Sequence, residues 1–201
     1  MSEAPARLVQ VTVGGSREPW QSLGVEFDDR GGCRIGQVSL RVDESRTSGF
    51  LCWAFDPPVE SIDGIETGAL ESPSRLVSEN FSTVDHVVVM TDSLERTSRD
   101  IATRTGSQVR RVREAGDGVM QAFHRSGEVI LEVVQTPTMT GVSLWGFVLV
   151  ANDLPGLVDR LGSEVVGDLR DAHQPGRLIA TVRHAVGLGV NVALMTPNQR
   201  P

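Results

Sequence analysis

The clearest pattern of apolar and polar positions lies in the middle of the chain. Val84–Met90 is short and rich in β-branched residues, which predicts a strand. Asp92 and Glu95 have the spacing of a capping box, which predicts that a helix begins after Asp92. Gly106 is a typical residue at the C-terminal end of such a helix. Leu94, Thr97, Ile101 and Thr105 follow one another at helical spacing. The pattern therefore predicts a strand followed by a short amphipathic helix.

A β-hairpin is predicted to complete this unit. Two apolar runs, Val119–His124 and Val129–Val134, flank Ser126 and Gly127. Folding about that dipeptide sets Phe123 opposite Ile130 and Gln121 opposite Glu132. Since side chains alternate along a strand, Gln121 should then share a face of the sheet with Glu132.

The same order of signals recurs near the C-terminus. The strand Leu144–Val150 precedes an Asn152-Asp153 cap and a helical stripe that ends at Gly162. Two further strands are predicted at Leu178–Val182 and Val190–Met195. We interpret this segment as a second copy of a βαβββ unit.

A reduced copy is predicted at the N-terminus. Leu8–Val13 is its first strand, Pro19–Leu23 its helix, and Val25–Phe27 and Cys33–Val42 supply the following strands. We therefore divide the chain into three parts. These are a degenerate module at 1–55, a linker or long loop at 56–82, and paired modules at 83–197, which split into 83–136 and 142–197.

Composition excludes several kinds of chemistry. All 19 basic residues are arginine and tyrosine is absent, so lysine Schiff bases, a phosphate-binding P-loop lysine and tyrosine acids are excluded. A net charge of −7 with scattered arginines predicts no nucleic-acid partner. Cys33 and Cys52 lack the spacing of a zinc or disulfide framework. We expect no membrane span and a cytoplasmic location, since no long apolar run or secretory signal is present.

The paired βαβββ pattern resembles the vicinal oxygen chelate superfamily, which contains glyoxalase I, bleomycin-resistance proteins and extradiol dioxygenases. The resemblance covers residues 84–197, and it depends on the histidine of Val84–Met90 and the glutamate of Val129–Val134. It implies an α+β fold in which paired βαβββ modules form a cupped mixed sheet.

The same resemblance implies a site in the cup. His86 and Glu132 occupy the positions of the family's metal ligands, which implies a divalent cation such as Zn²⁺, Ni²⁺, Fe²⁺ or Mn²⁺. Glu132 would then be the catalytic base. Aligning the last copy with the middle one places Gly146 at the position of His86 and Ala193 at that of Glu132. That module therefore offers neither ligand, and further ligands would come from water, Gln121 or a neighbouring chain.

Substrate-binding residues are also expected at the rim. Gln121 should face the site, while Gln174 and Arg177 belong to a loop whose guanidinium could hold a carboxylate or phosphate. The alternative for that loop is an ordinary turn into a strand.

Three functions remain open from the sequence. The first is a metal-dependent lyase, isomerase or dioxygenase that acts on an oxygenated small molecule. The second is a metal-free binding or resistance-type protein, which the small residues Gly146 and Ala193 favour because they enlarge the pocket. In the third, the protein has no activity and the N-terminal module is only an assembly surface of a homodimer.

Overall fold

The fold was analysed in a computed structural model that describes residues 4–69 and 71–198. Its main feature is an eight-stranded sheet with the strand order β10-β11-β12-β9-β5-β8-β7-β6. The strands of this sheet are β5 Phe81–Thr91, β6 Val109–Glu114, β7 Met120–Ser126, β8 Val129–Gln135, β9 Val142–Ala151, β10 Arg170–Asp171, β11 Leu178–Thr181 and β12 Asn191–Met195. Two helices belong to it, α2 Leu94–Thr105 and α3 Leu154–Leu161, together with a short 3₁₀ helix, His184–Val186.

This strand order corresponds to two four-stranded units that lie side by side in one sheet, with their first strands, β5 and β9, adjacent. In each unit the first strand pairs in parallel with the last, as β5 does with β8 and β9 with β12. The two first strands, β5 and β9, pair antiparallel at the centre of the sheet. The α+β class and the paired modules predicted from the sequence are confirmed, and both modules pair within one chain.

Local sequence explains where the helices begin and end. The Ser93 side chain accepts a hydrogen bond from the Arg96 backbone N–H, and Gly106 ends α2 in the left-handed conformation with φ +75°. The Asp153 side chain accepts from the Gly156 N–H at the start of α3. The N-cap of α2 is therefore Ser93, one residue after the predicted Asp92, because Ser93 has the extended backbone that an N-cap requires.

The predicted hairpin forms, but its register differs from the prediction. Ser126 pairs with Val129, so the turn consists of Gly127 and Glu128. Gln121 consequently lies opposite Val134, and Phe123 lies opposite Glu132. The turn shifts by one residue because Gly127 adopts φ +65°, which a glycine accepts without strain. A one-residue shift of the turn moves the pairing by two residues, so Gln121 still shares the face of Glu132.

Three short segments depart from the predicted strands. The strands β6 and β10 were missed, since β6 is mostly exposed and rich in arginine and β10 has only two residues. Val25–Phe27 was predicted as a strand and forms none. Val25 is nonetheless fully buried, and its N–H donates to the Trp20 carbonyl rather than to a neighbouring strand.

The N-terminal part forms its own four-stranded sheet in the order β2-β3-β1-β4. Its elements are β1 Arg7–Gly14, α1 Glu18–Ser22, β2 Gly32–Ile35, β3 Val38–Asp43 and β4 Gly49–Asp56. The pairing of β1 with β3 in parallel and with β4 antiparallel repeats the pairing of β5 with β8 and β9. This sheet is therefore one reduced module completed by a single strand, β4, in the position of a partner module.

The two sheets share one hydrophobic core. Trp20 of α1 is fully buried and stacks on Phe147 of β9, with ring centroids 5.9 Å apart. Phe50 of β4 contacts the same ring edge-on at 5.6 Å. The Ser126 hydroxyl accepts from the Leu8 N–H and donates to the Ala6 carbonyl, which joins β1 to the end of β7.

The segment between the two sheets packs against helix α2. Ile62 is fully buried, and the Asp63 carboxylate accepts hydrogen bonds from Arg96 at 2.7 Å and from Thr97. The Asp63 N–H in turn donates to Asp100 of the same helix. This segment therefore fixes the outer face of the middle module, and we retain the division at 55 and 83 as a proposal about folding units.

Candidate functional site

Side chains of the central strands alternate between the shared core and a cavity on the other face of the large sheet. Along β5, Val87 and Val89 belong to the core, while His86, Val88 and Met90 line the cavity. The cavity has a volume of about 490 Å³, and we call it the cup. Because β5 and β9 lie at the centre of the sheet, both modules contribute to its walls.

Three polar side chains meet on the floor of the cup. Nε2 of His86 lies 3.3 Å from Oε2 of Glu132. The Gln121 amide donates to Oε1 of the same carboxylate at 2.7 Å. The side chains of His86 and Glu132 are 16% and 11% exposed, so both are reachable from the cavity. The structure thus brings His86, Glu132 and Gln121 into contact with one another.

A fourth residue, Asp85, completes the surroundings of His86. Its Oδ2 lies 3.0 Å from Nδ1 of His86. Since a carboxylate only accepts hydrogen bonds, Nδ1 carries the hydrogen of this contact. Asp85 reaches the same face as its neighbour because the pairing of β5 with β9 is irregular between Val84 and His86.

Arg177 supports Asp85 from the side away from His86. Its Nη1 donates to Oδ1 of Asp85 at 2.6 Å and also to Gln174, and its Nε donates to the Thr196 carbonyl at 2.8 Å. Burial alone would raise the pKa of Asp85, but the hydrogen bonds from His86 and Arg177 hold that pKa below its usual range. Asp85 is therefore a carboxylate that orients the imidazole.

The remaining predicted residues lie in different places. Gln174 lines a second cavity of about 360 Å³ that adjoins the cup and shares His86 and Glu132 with it. Arg177 is only 4% exposed and lies behind Asp85, outside the lining of both cavities. Trp145, by contrast, is 48% exposed and lines the cup.

Sequence reasoning missed Asp85, Arg113 and Arg170. The alternation rule assigned Asp85 to the opposite face, and no sequence signal marks the bulge that turns it back. Arg113 and Arg170 lie on β6 and β10, the two strands that were not predicted, and both line the cup.

The donor set does not complete a three-ligand metal site. His86 and Glu132 supply two donors, and Asp85 is bonded to the opposite nitrogen of the imidazole ring, so it could not reach the same ion. The carbonyl oxygen of Gln121 accepts a hydrogen bond from Arg113. Within residues 4–69 and 71–198, no group of three His, Cys, Asp or Glu side chains could hold a metal ion.

The last module, residues 142–197, adds no metal-binding side chain. Ala193 pairs with Val148 as Glu132 pairs with Val88, and Gly146 pairs with Asn191 as His86 pairs with Ile130. The structure therefore places Gly146 and Ala193 at the positions equivalent to His86 and Glu132. Neither residue offers a side-chain donor to a cation.

Two solved structures share this architecture. A methylmalonyl-CoA epimerase from Mycobacterium tuberculosis aligns with a TM-score of 0.51 at 14% identity, covering 62% of this chain and 94% of its own. A triple mutant of 4-hydroxymandelate synthase from Streptomyces coelicolor aligns with a TM-score of 0.69 at 14% identity, covering 98% of this chain and 94% of its own. These two alignments support the fold that the sequence resemblance implied.

The chain has the vicinal oxygen chelate fold. No family model matches the sequence, and no curated protein matches it. At 14% identity these alignments establish the fold alone, so the function has to be inferred from the residues of this chain. None of the helices in the described part of the chain has the length and apolar character needed to cross a membrane.

Proposed function

We propose that the cup binds an oxygenated small molecule through His86 and Glu132, without a metal ion. The observation that carries this proposal is the contact of 3.3 Å between two side chains that are both reachable from a cavity of about 490 Å³. A cavity of this size with a few convergent polar groups is typical of a small-molecule site.

Hydrogen bonds on the floor of the cup hold His86 and Glu132 in fixed orientations before a ligand binds. Asp85 fixes the imidazole of His86 through Nδ1, so Nε2 faces Glu132 and the cavity. Gln121 fixes the Glu132 carboxylate from the other side. A hydroxyl or carbonyl group of a ligand would exchange hydrogen bonds with Nε2 and the carboxylate, while the apolar walls hold its carbon skeleton. Arg177 and Gln174 act in this proposal as positioning residues for Asp85.

A metal-dependent enzyme is the second candidate. One observation favours it, since a histidine whose other nitrogen donates to a carboxylate is the usual arrangement of a metal-binding histidine. In that case His86 and Glu132 would hold a divalent cation together with water or a neighbouring chain, and Glu132 would be the catalytic base. A homodimer and a cytoplasmic location remain proposals in either case.

Metal binding and ligand binding can be measured separately. Purified protein is incubated with Zn²⁺, Ni²⁺, Fe²⁺, Co²⁺ or Mn²⁺, freed of unbound metal, and analysed for bound metal beside His86→Asn. We expect less than stoichiometric metal in both proteins. A thermal-shift screen with oxygenated metabolites should raise the Tm equally with and without EDTA. One metal ion per chain that is lost in His86→Asn would support the metal-dependent enzyme instead.

A further inference from the structure

Two arginines from opposite ends of the large sheet line the same cavity. Arg113 lies on the edge strand β6 of the middle module, and Arg170 lies on the edge strand β10 of the last module. Both line the cup beside His86 and Glu132. The adjoining cavity adds Arg111, which also lies on β6.

None of these three arginines forms an ion pair with a residue that the structure describes. Arg113 donates to the Gln121 carbonyl oxygen, and its guanidinium lies 5.3 Å from the centre of the Phe123 ring. The exposed side chain of Arg170 forms no hydrogen bond with any described residue. Its five N–H donors are therefore available to a ligand.

The balance of charge in the two cavities is opposite to that of the whole chain. The protein carries a net charge of −7, yet the two linings contain three arginines and one carboxylate, Glu132. That carboxylate already contacts His86 and Gln121. A cleft with one sign of charge and low-dielectric walls concentrates ligands of the other sign.

The rest of the lining is largely apolar. Val88, Met90, Val134 and Val148 come from the central strands, and Trp145 adds a partly exposed ring. Such walls would hold an aromatic or branched carbon skeleton, because burying that surface is favourable. The planar fork of a guanidinium matches a carboxylate through two parallel hydrogen bonds.

We propose that the ligand of the cup is an organic acid, with its carboxylate bound by Arg113 and Arg170 and its apolar body against the valine walls. This inference rests on the proposed function, since it names the class of molecule that the same site takes. Arg170 is then a specificity-determining residue, whereas Arg113 binds the carboxylate and also holds Gln121.

The test compares acids with their neutral amides. The probes are 3-phenyllactate and the larger indole-3-lactate, each beside its primary amide, and their Kd values are measured by titration calorimetry in EDTA. We expect each acid to bind at least tenfold more tightly than its amide. Arg170→Gln should weaken binding of the acids about tenfold and leave the amides unchanged, and Arg170→Glu should weaken the acids further.

Arg75→Gln is the matched control, because it removes one exposed positive charge outside both cavities. It should leave every Kd unchanged. Equal Kd values for acid and amide that do not respond to Arg170→Gln would overturn the organic-acid inference and leave the cup as a binding site. If none of the four probes binds to the wild-type protein, the proposed function fails together with the inference.

Discussion

Nη1 of Arg177 lies 2.6 Å from Oδ1 of Asp85, and the guanidinium is almost completely buried. Nη2 of Arg177 is buried without a hydrogen-bond partner among the described residues. Asp85 is therefore the one carboxylate that pairs with this buried charge in the described structure. The other oxygen of Asp85 contacts Nδ1 of His86 and so fixes the orientation of the imidazole ring. This ion pair couples the stability of the protein to the orientation of the candidate site.

Asp85→Asn should destabilise the protein strongly. Removing one partner of a buried ion pair leaves an uncompensated charge, which costs about 3–5 kcal/mol. Urea unfolding followed by circular dichroism measures this loss. The control is Glu95→Gln, which breaks an exposed i,i+4 pair with Arg99 and should cost about 0.3–0.5 kcal/mol. Equal losses in the two variants would contradict the role given to Arg177.

His124 should make stability depend on pH. It is buried on β7, its Nδ1 contacts the Ser107 carbonyl, and burial lowers its pKa. Because the folded protein binds this proton less readily than the unfolded chain, stability falls as the pH drops below about 6.5, the ordinary pKa of histidine. The loss levels off below the folded pKa.

The variant His124→Asn isolates this effect, since its amide can still donate to the Ser107 carbonyl but does not titrate. Unfolding free energies are compared at intervals between pH 8 and pH 5. The wild-type protein should lose more stability over this range than the variant. Parallel curves would show that His124 titrates alike in the folded and unfolded states.

Substitution of Trp20 should affect stability, whereas substitution of Trp145 should affect ligand binding. Trp20 is fully buried against Phe147, so Trp20→Ala should cost about 3–5 kcal/mol of stability. Trp145 is half exposed in the cup, so Trp145→Ala should change stability little and weaken binding of indole-3-lactate several-fold. A small loss of stability for Trp20→Ala would contradict the shared core, because it would show that the N-terminal sheet contributes little to the stability of the larger sheet.

Most of the large sheet could be predicted from sequence because its central strands are rich in apolar residues on both faces, toward the core and toward the cup. Val84–Met90, Val129–Val134 and Leu144–Val150 are long apolar runs, and glycines mark the ends of the two main helices. The edge strands β6 and β10 carry little apolar pattern, since nearly all of their side chains are exposed. These two strands are defined by their backbone pairing with β7 and β11, which a sequence pattern does not reveal.

Two kinds of reasoning pointed to the site from the sequence. The family resemblance implied His86 and Glu132, and strand alternation added Gln121, whose face was preserved because the hairpin shift moved the register by two residues. Asp85 departs from strand alternation at a bulge, and Arg170 lies 84 residues after His86 on a strand that was not predicted. Tertiary structure alone brings Asp85 beside His86 and Arg170 to the wall of the cup.

The measurement that tests the central claim most directly is titration of 3-phenyllactate into protein dialysed against EDTA. The comparison protein is His86→Asn, whose amide can still donate to Asp85 while Nε2 is removed. We predict the same Kd for the wild-type protein with and without EDTA, and a Kd about tenfold higher for His86→Asn. Binding that disappears in EDTA and returns with one equivalent of a divalent cation would contradict a metal-free cup.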